Sequence, residues 1–275
     1  MLFEHVPIIV RGGGDLASGV VYRLTKAGFP VLVTELARPL AIRRAVAFAS
    51  AVFEGQITVD GLPARRIDAV DEIFRAWEHG EIPVLVDEAG ASLDALTPPV
   101  VVDARLAKRN LDTTRDDARL VIALGPGFDA GADCHAVIET NRGHFLGRVI
   151  WQGAAKPDTG KPGRVEGHIL DRVLRAPAGG FVAPHTAIGD DLKAGQVIAT
   201  VGELSVNAPF DGVLRGLIHP SVPVQPRMKI GDVDPRGERQ HCFTISEKAL
   251  AIGGGVLEAI LSAPQIEQLL KQAIS

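Results

Sequence analysis

Cysteine and unbalanced charge are both scarce in this sequence, and each scarcity excludes a class of protein. The two cysteines, Cys134 and Cys242, make no disulfide framework and have no spacing that suits a zinc site. The 29 basic and 33 acidic residues give a net charge of −4, which argues against a nucleic-acid-binding surface. The longest stretch without a charged residue, 176–189, is interrupted by prolines and glycines and is too short to span a bilayer.

The amino-terminal residues lack a basic region and a cleavage-like site, so no secretory signal is predicted. Taken with the absences above, this predicts a soluble, cytoplasmic protein that binds neither nucleic acid nor a membrane. Apolar residues make up 46% of the chain, so a packed core is expected.

The first third of the chain alternates β-branched runs with amphipathic stretches. Residues 7–10 and 31–33 have strand character and flank a helical pattern that begins at Asp15. Such alternation is typical of βαβ units and a parallel sheet. Further strand-like runs lie at 83–86, 100–102 and 120–124. The predicted fold class is therefore α/β, with a Rossmann-like parallel sheet domain and its extension over residues 1–172.

Helical periodicity nearly disappears beyond Trp151, and the chain repeats itself with an offset of 32 residues. Ala176-Pro177 returns as Ala208-Pro209, and Gly180 returns as Gly212. Two short all-β halves can cover each other's apolar faces, so residues 173–240 are predicted to form a small barrel-sandwich hybrid of the biotinyl and lipoyl type.

The stretch that joins the two halves, 200–206, contains no lysine. A covalently attached biotin or lipoate is therefore not expected. Residues 241–275 return to mixed patterning and are predicted to form a strand and helices that pack back on the first domain.

The clearest candidate binding motif is Gly12-Gly13-Gly14-Asp15-Leu16-Ala17, which follows the first predicted strand. It matches G-x-G-x-x-G/A, in which glycines and a helix amino terminus receive a phosphate. Arg11 adds positive charge, and Glu35 ends the next strand where an acid can bind a ribose hydroxyl. Asp15 supports the opposite interpretation, because a capping carboxylate would occupy the same N–H donors. Both interpretations remain open.

A second concentration of charge follows the strand at 100–102. Arg105, Lys108 and Arg109 would clamp a phosphate if they faced a pocket, with Asp103 orienting them. On a helix surface the same residues would only be solvated. The sequence does not distinguish the two arrangements.

The segment 133–144 has the highest density of polar residues in the chain. His135 and Glu139 would share one face of a helix as metal ligands do, but residues 136–138 have strand character. Residues four apart on a strand are about 13 Å distant, so no metal site is predicted. His135 or Asp103 would be the proton donor if the chain were an NAD(P)-dependent oxidoreductase.

Six blocks of the sequence together resemble a known family, the selenium-dependent molybdenum hydroxylase accessory proteins of the YqeB type. The blocks are 11–20, 102–110, 123–128, 133–144, 229–237 and 252–259. Two positions depart from the expected pattern: Arg227 stands where a glycine matching Gly195 is expected, and Cys134 stands where a small aliphatic residue is common.

The resemblance implies a role in maturation of a molybdenum hydroxylase. Its partner would be that hydroxylase or the maturation machinery, and its ligand a nucleotide or molybdopterin-type cofactor with phosphates on Gly12 to Gly14. The alternatives are an NAD(P)-dependent oxidoreductase and an interaction scaffold without a ligand.

Overall fold

The computed structural model describes residues 1–158 and 171–272, which contain eighteen strands and six α-helices. The strands are β1 (Ile8–Arg11), β2 (Val31–Glu35), β3 (Gln56–Val59), β4 (Leu62–Ile67), β5 (Ile82–Val86), β6 (Val100–Asp103), β7 (Leu120–Leu124), β8 (Asp129–Ala130), β9 (Ala136–Ile138), β10 (Val149–Ile150), β11 (Gly153–Ala154), β12 (Val173–Arg175), β13 (Val182–Pro184), β14 (Asp191–Leu192), β15 (Val197–Val201), β16 (Leu204–Asn207), β17 (Gly212–Leu217) and β18 (Lys229–Asp234). The helices are α1 (Asp15–Lys26), α2 (Ala51–Glu54), α3 (Ile73–Glu78), α4 (Ala91–Leu96), α5 (Glu247–Ser262) and α6 (Glu267–Gln272).

Nine strands form one mixed sheet in the order β10-β9-β7-β6-β1-β2-β5-β4-β3. The inner strands run parallel, whereas β3 and β10 at the two edges pair antiparallel with their neighbours. In the central register Arg11 lies beside Thr34 on one side and Asp103 on the other. The carboxyl ends of β1, β2 and β6 therefore meet at one edge of the sheet, where the glycine turn begins.

The predicted fold class, a Rossmann-like parallel sheet with a barrel-sandwich hybrid, is wrong. The main sheet is mixed, and the repeat folds into two antiparallel sheets, β12-β18-β17-β14 and β13-β15-β16. An apolar run indicates that a strand is buried but not in which direction it runs. Asp60 and Gly61, at φ 45° and 78°, turn β3 back into β4, which makes that edge antiparallel.

The main sheet is covered on both faces. Ile8 and Val10 of β1 point to the face that packs against α1 and α5, while Ile9 points to the opposite face with α3. This alternation is the period of two expected of a strand buried on both sides. The segment 173–240 has a separate apolar core.

The carboxyl-terminal segment differs from the predicted strand. Arg239–Cys242 is a single 3₁₀ turn, and the carbonyls of His241 and Thr244 accept hydrogen bonds from the side chain of Arg43 instead of from a strand partner. The division into domains 1–172, 173–240 and 241–275 stays a prediction, and its parts 159–170 and 273–275 lie outside the described residues.

Among the residues described, no single helix is both long and apolar enough for a membrane span. Only α5 taken together with residues 264–272 reaches that length and composition, and the two helices are bent by 61° relative to each other.

Close helix packing joins α5 to α1. A Cβ added to Gly19 would lie 2.2 Å from the carbonyl oxygen of Ala249, and one added to Gly253 would lie 2.3 Å from that of Gly19. No side chain fits between two backbones at these distances, so glycine is required on both helices. Gly254 differs from its neighbour, because a Cβ there would meet no atom within 4 Å.

Arg227 occupies a position that favours glycine, yet the turn there keeps its shape. Gly195 donates its N–H to Ala208 and Arg227 donates its N–H to Ala176, both at 2.8 Å, so the two halves of the repeat make the same bond. The φ angles are 82° for Gly195 and 67° for Arg227. The arginine therefore carries left-handed strain that the glycine does not.

We expect Gly253→Ala to lower the free energy of unfolding by about 1–3 kcal/mol, because the added methyl group overpacks a backbone contact. Gly254→Ala is the matched control and should raise it by up to about 1 kcal/mol through helix propensity. Urea unfolding of both variants checks the contact, and equal stabilities would contradict it.

We expect Arg227→Gly to stabilise the protein by up to about 1 kcal/mol, since relief of left-handed strain exceeds the freedom that glycine adds to the unfolded chain. Arg227→Ala removes the same side chain but retains the strain, so it should show no gain. Thermal unfolding of the pair separates the two effects. A gain in both variants would mean that the side chain, not φ, is responsible.

Candidate functional site

In the glycine turn between β1 and α1, two backbone N–H groups already donate hydrogen bonds within the protein. The N–H of Gly12 donates to the carbonyl of Thr34 at 2.8 Å, and the N–H of Gly13 donates to Oε2 of Glu35 at 2.9 Å. Neither donor is free for a phosphate. The predicted cradle of three glycines is therefore filled at its first two positions.

The first two glycines of the turn are crowded by backbone atoms, and only the third has open space beside it. A Cβ on Gly12 would lie 3.0 Å from the carbonyl oxygen of Ala104, and one on Gly13 would lie 2.8 Å from the backbone nitrogen of Ala49. A Cβ on Gly14 would meet no atom within 4 Å. Of these three glycines, only Gly14 leaves room for a ligand.

Glu35 lies beneath the turn instead of reaching outward to a ribose. Its second oxygen accepts from the N–H of Leu36 at 2.8 Å, so both carboxylate oxygens are bonded to the backbone. Burial raises the pKa of Glu35, and the hydrogen bonds from Gly13 and Leu36 lower it in part. Each oxygen of this carboxyl group is therefore engaged by the backbone of the turn, which the group supports.

Asp15 does not act as the predicted cap of α1. The N-cap residue is Gly14, which has no side chain to accept a hydrogen bond, and the carboxylate of Asp15 instead pairs with Nη1 of Arg43 at 3.3 Å. The first N–H groups of a helix have no partner within the helix, so the start of α1 retains donor capacity. Ala17 is fully buried and packs in the core.

Arg11 and Arg105 are held inside an ion-pair network. Arg11 donates to Asp112 at 3.0 Å and to Thr113 at 3.1 Å. Asp103, only 1% exposed, accepts from Nη2 of Arg105 at 2.6 Å and from Thr113 at 2.7 Å. Burial alone would lower the pKa of Arg105, but its bonds to Asp103 and Asp112 raise it overall. Both arginines are neutralised by carboxylates of this chain.

The other two predicted cations point elsewhere. Nζ of Lys108 lies 2.7 Å from Asp158, and Arg109 is exposed with no ion-pair partner in the described part of the chain. The segment that carries them is irregular, with Lys108 at φ 64°, so the predicted helix surface does not form either. The structure therefore does not bring Arg105, Lys108 and Arg109 together as a clamp.

The two candidate proton donors are also separated. His135 precedes β9 and its Nδ1 accepts the N–H of Val121, near the start of β7, at 3.0 Å. Asp103 ends β6 in register with Ala123, near the end of β7. Burial and the charge of Arg115 lower the pKa of His135, so this ring is neutral at neutral pH.

The polar residues of the segment 133–144 have structural roles. Glu139 is buried and accepts the backbone N–H groups of Asn141 at 2.7 Å and Lys156 at 3.0 Å. Burial raises the pKa of the Cys134 thiol to about 12, so it is not a nucleophile at neutral pH. Within residues 1–158 and 171–272, no three His, Cys, Asp or Glu side chains are arranged to hold a metal ion.

Lys248 is a cation at the carboxyl edge of the main sheet, and the sequence did not predict it. It lies in the first turn of α5, which packs against α1, and it is half-buried. Burial and the charge of Arg142 lower the pKa of Lys248, while the charges of Asp15 and Glu139 raise it in part. The pair Glu247-Lys248 carries no local signal, because its position depends on the packing of two helices far apart in the sequence.

A cleft of about 390 Å³ lies between residues 44–57 and the segment 173–240. Its polar lining includes Arg44, Ser50, Glu54 and Thr186. None of the predicted site residues lines it.

We expect Arg105→Ala to destabilise the protein by about 3–5 kcal/mol, because it leaves Asp103 as a buried charge without its main partner. Arg109→Ala removes an exposed arginine four residues away and should change stability by less than about 0.5 kcal/mol. Chemical denaturation of the two variants measures the difference. Similar losses in both would show that the network does not depend on Arg105.

Comparison with known proteins gives one informative relative. No family model matches the sequence. Over 257 residues the chain is 52% identical to "Uncharacterized protein YqeB" of Escherichia coli strain K12. The match covers 94% of this chain and 48% of YqeB, so the chain spans about half the length of that relative.

Two solved structures show weak similarity. An aspartoacylase family protein from Mesorhizobium loti is 10% identical, with a TM-score of 0.24, over 78% of this chain and 59% of its own. A succinylglutamate desuccinylase/aspartoacylase from Rhodobacter sphaeroides is 12% identical, with a TM-score of 0.26, over 82% of this chain and 84% of its own. TM-scores this low carry no argument about the fold or the function of this chain.

Proposed function

Because this chain belongs to the YqeB family, we propose that it is an accessory protein of a selenium-dependent molybdenum hydroxylase system. It would bind a nucleotide-bearing molybdenum cofactor while the client enzyme matures, with the segment 173–240 facing the client. The single observation that supports ligand binding is the open position at Gly14, where α1 begins at the carboxyl edge of the sheet.

The glycine turn has room for one phosphate group but not for a pyrophosphate. A pyrophosphate laid across all three glycines does not fit, because Gly12 and Gly13 have already used their N–H groups and are covered by backbone. One phosphate group fits beside Gly14, since the first turn of α1 offers N–H donors and a favourable helix dipole. Lys248 adds positive charge beside Asp15.

In this proposal the chain binds and shields its ligand. The backbone at Gly14 and Asp15 and the side chain of Lys248 would hold a phosphate, while Glu35 keeps the turn rigid from below. The cofactor, when bound, supplies the redox chemistry of the client enzyme. Arg11, Arg105, Lys108 and Arg109 are not assigned to the ligand, because the first three are paired with acids and Arg109 faces solvent.

The NAD(P)-dependent oxidoreductase is less well supported. It needs a proton donor beside the glycine turn, and Asp103 is enclosed by Arg105 and Thr113 while His135 is bonded to the backbone of Val121. An interaction scaffold without a ligand remains as the outcome in which no nucleotide binds.

The glycine turn can be tested without disturbing the fold. Gly14 has φ −65°, which any residue adopts, and open space around its Cβ position, so Gly14→Val should fold normally. We expect it to weaken binding of nucleoside monophosphates by about tenfold or more, because the side chain fills the phosphate position. Isothermal titration with AMP, GMP and CMP measures this, with the parent nucleosides as ligands that lack the phosphate.

Gly254→Ala, at another open glycine, is the matched control and should bind as the unchanged protein does. Mass spectrometry of the purified protein should also reveal a co-purified pterin or nucleotide. Equal affinity in Gly14→Val and the control, or no binding by the unchanged protein, contradicts the proposal.

A further inference from the structure

The cleft between residues 44–57 and the segment 173–240 is separate from the residues assigned to the phosphate, none of which lines it. Its volume of about 390 Å³ lies in the range of small-molecule sites, roughly 300–1,000 Å³. The larger apolar residues of its lining are Ile57, Pro184, Ile188 and Leu217. Such a wall suits the aliphatic part of a small molecule.

Arg44 brings a positive charge into this lining. Its Nε donates to the carbonyl of Leu217 at 2.7 Å, which fixes the guanidinium group at the wall of the cleft. Its Nη1 and Nη2 groups donate no hydrogen bond to a described residue, and the nearest acid, Glu54, lies 3.9 Å from Nη1. Burial lowers the pKa of Arg44, and the charge of Glu54 raises it in part. The guanidinium group therefore keeps donors that suit a carboxylate.

Glu54 places a negative charge in the same lining, and its side chain is 54% exposed. Its Oε1 also lies 3.7 Å from Nε2 of His219, whose ring stacks on that of Phe53. Burial and the charge of Arg44 lower the pKa of His219, while the charge of Glu54 raises it in part, so this ring is neutral at neutral pH. Both contacts of Glu54 are too long for hydrogen bonds, so its carboxylate keeps the capacity to accept them from a ligand.

The two charges of the cleft lie side by side without a direct bond. The ion pair beside the glycine turn closes to 2.6 Å, whereas Arg44 and Glu54 stay 3.9 Å apart. The hydroxyl groups of Ser50 and Thr186 also line the cleft, and each donates to a backbone carbonyl. These hydroxyls add no charge. The lining therefore offers one cation and one anion, with no net charge.

This arrangement favours a zwitterion over an ion of one sign. A simple anion drawn to Arg44 would be repelled by Glu54, and a simple cation drawn to Glu54 would be repelled by Arg44. An α-amino acid carries its carboxylate and its ammonium group on one carbon atom. It therefore presents two opposite charges at the spacing that this pair of residues can receive.

We propose that this cleft binds a small aliphatic α-amino acid of about the size of leucine, with its carboxylate on Arg44 and its ammonium group on Glu54. The aliphatic side chain would lie against Ile57, Ile188 and Leu217. Because the walls of the cleft come from two distant parts of the sequence, the ligand would hold the segment 173–240 against residues 44–57. This inference does not depend on the proposed function.

The test uses L-leucine and two analogues that each lack one charged group. L-Leucinamide has no carboxylate, and 4-methylpentanoate has no ammonium group. Isothermal titration of the unchanged protein should show one saturable site for leucine, with each analogue bound more weakly by about tenfold or more. No binding of leucine, or equal affinity for all three compounds, overturns the proposal.

Glu54→Gln removes the negative charge at an exposed position, so this variant should fold normally. It should weaken leucine binding by about tenfold or more and abolish the preference for leucine over 4-methylpentanoate. Glu203→Gln makes the same replacement at an exposed glutamate between β15 and β16 and should bind leucine as the unchanged protein does. Equal leucine affinity in these two variants overturns the proposal.

Ala187→Phe locates the ligand, because Ala187 is exposed and lines the cleft, so the larger side chain fills the space. Leucine binding should be lost in this variant. Ala183→Phe makes the same replacement at an exposed alanine outside the lining and should retain full affinity. Circular dichroism confirms that each variant is folded, and Glu54→Gln decides the matter if Ala187→Phe is not. Retained binding in a folded Ala187→Phe variant overturns the proposal, because the amino acid would then lie elsewhere.

Discussion

The close approach of α1 and α5 is the contact on which the candidate site depends. The backbones meet at Gly19 and Gly253, with no side chain between them, and Arg23 reaches the carbonyl of Leu250 further along the pair. The charge of Asp15, in the first turn of α1, acts on Lys248, in the first turn of α5, so the two helices run in the same direction. Their amino termini, and with them Asp15 and Lys248, lie together at the carboxyl edge of the sheet.

The charged residues of that edge mostly neutralise one another. Asp103 with Arg105, and Asp112 with Arg11, form a closed network beside the glycine turn. Such networks hold a turn rigid but leave little net charge for a ligand. What remains is a short stretch at Gly14 and the first turn of α1, which is suited to one phosphate group and not to an extended dinucleotide.

Much of the strand positioning was predictable, because buried strands have continuous apolar runs bounded by glycine and acids. β1, β2, β5, β6 and β7 lie where those runs are. The antiparallel pairing of β3 with β4 was also predictable, because the Asp60-Gly61 dipeptide favours a hairpin turn. Strand direction at the other edge was not, since it depends on Val149-Ile150 pairing with β9, and apolar patterning carries no information on that pairing.

The candidate site was predictable only in its first element. The glycine turn follows from spacing, whereas the partners that close or charge it come from distant parts of the chain. Arg43 reaches His241 across 198 residues, and Lys248 approaches Asp15 through the packing of α5 on α1. At Arg227 the local preference of the residue is overridden, because the tertiary structure imposes a left-handed φ on a residue that disfavours it.

The most direct test of a single phosphate position at the start of α1 is the backbone amide NMR spectrum during titration with a nucleoside monophosphate. The amide resonances of Gly14, Asp15 and Leu16 should shift with saturation, while those of Gly12 and Gly13, whose N–H groups are already bonded, should stay in place. Shifts centred on Gly12 and Gly13, or no shift anywhere in the turn, would contradict the account.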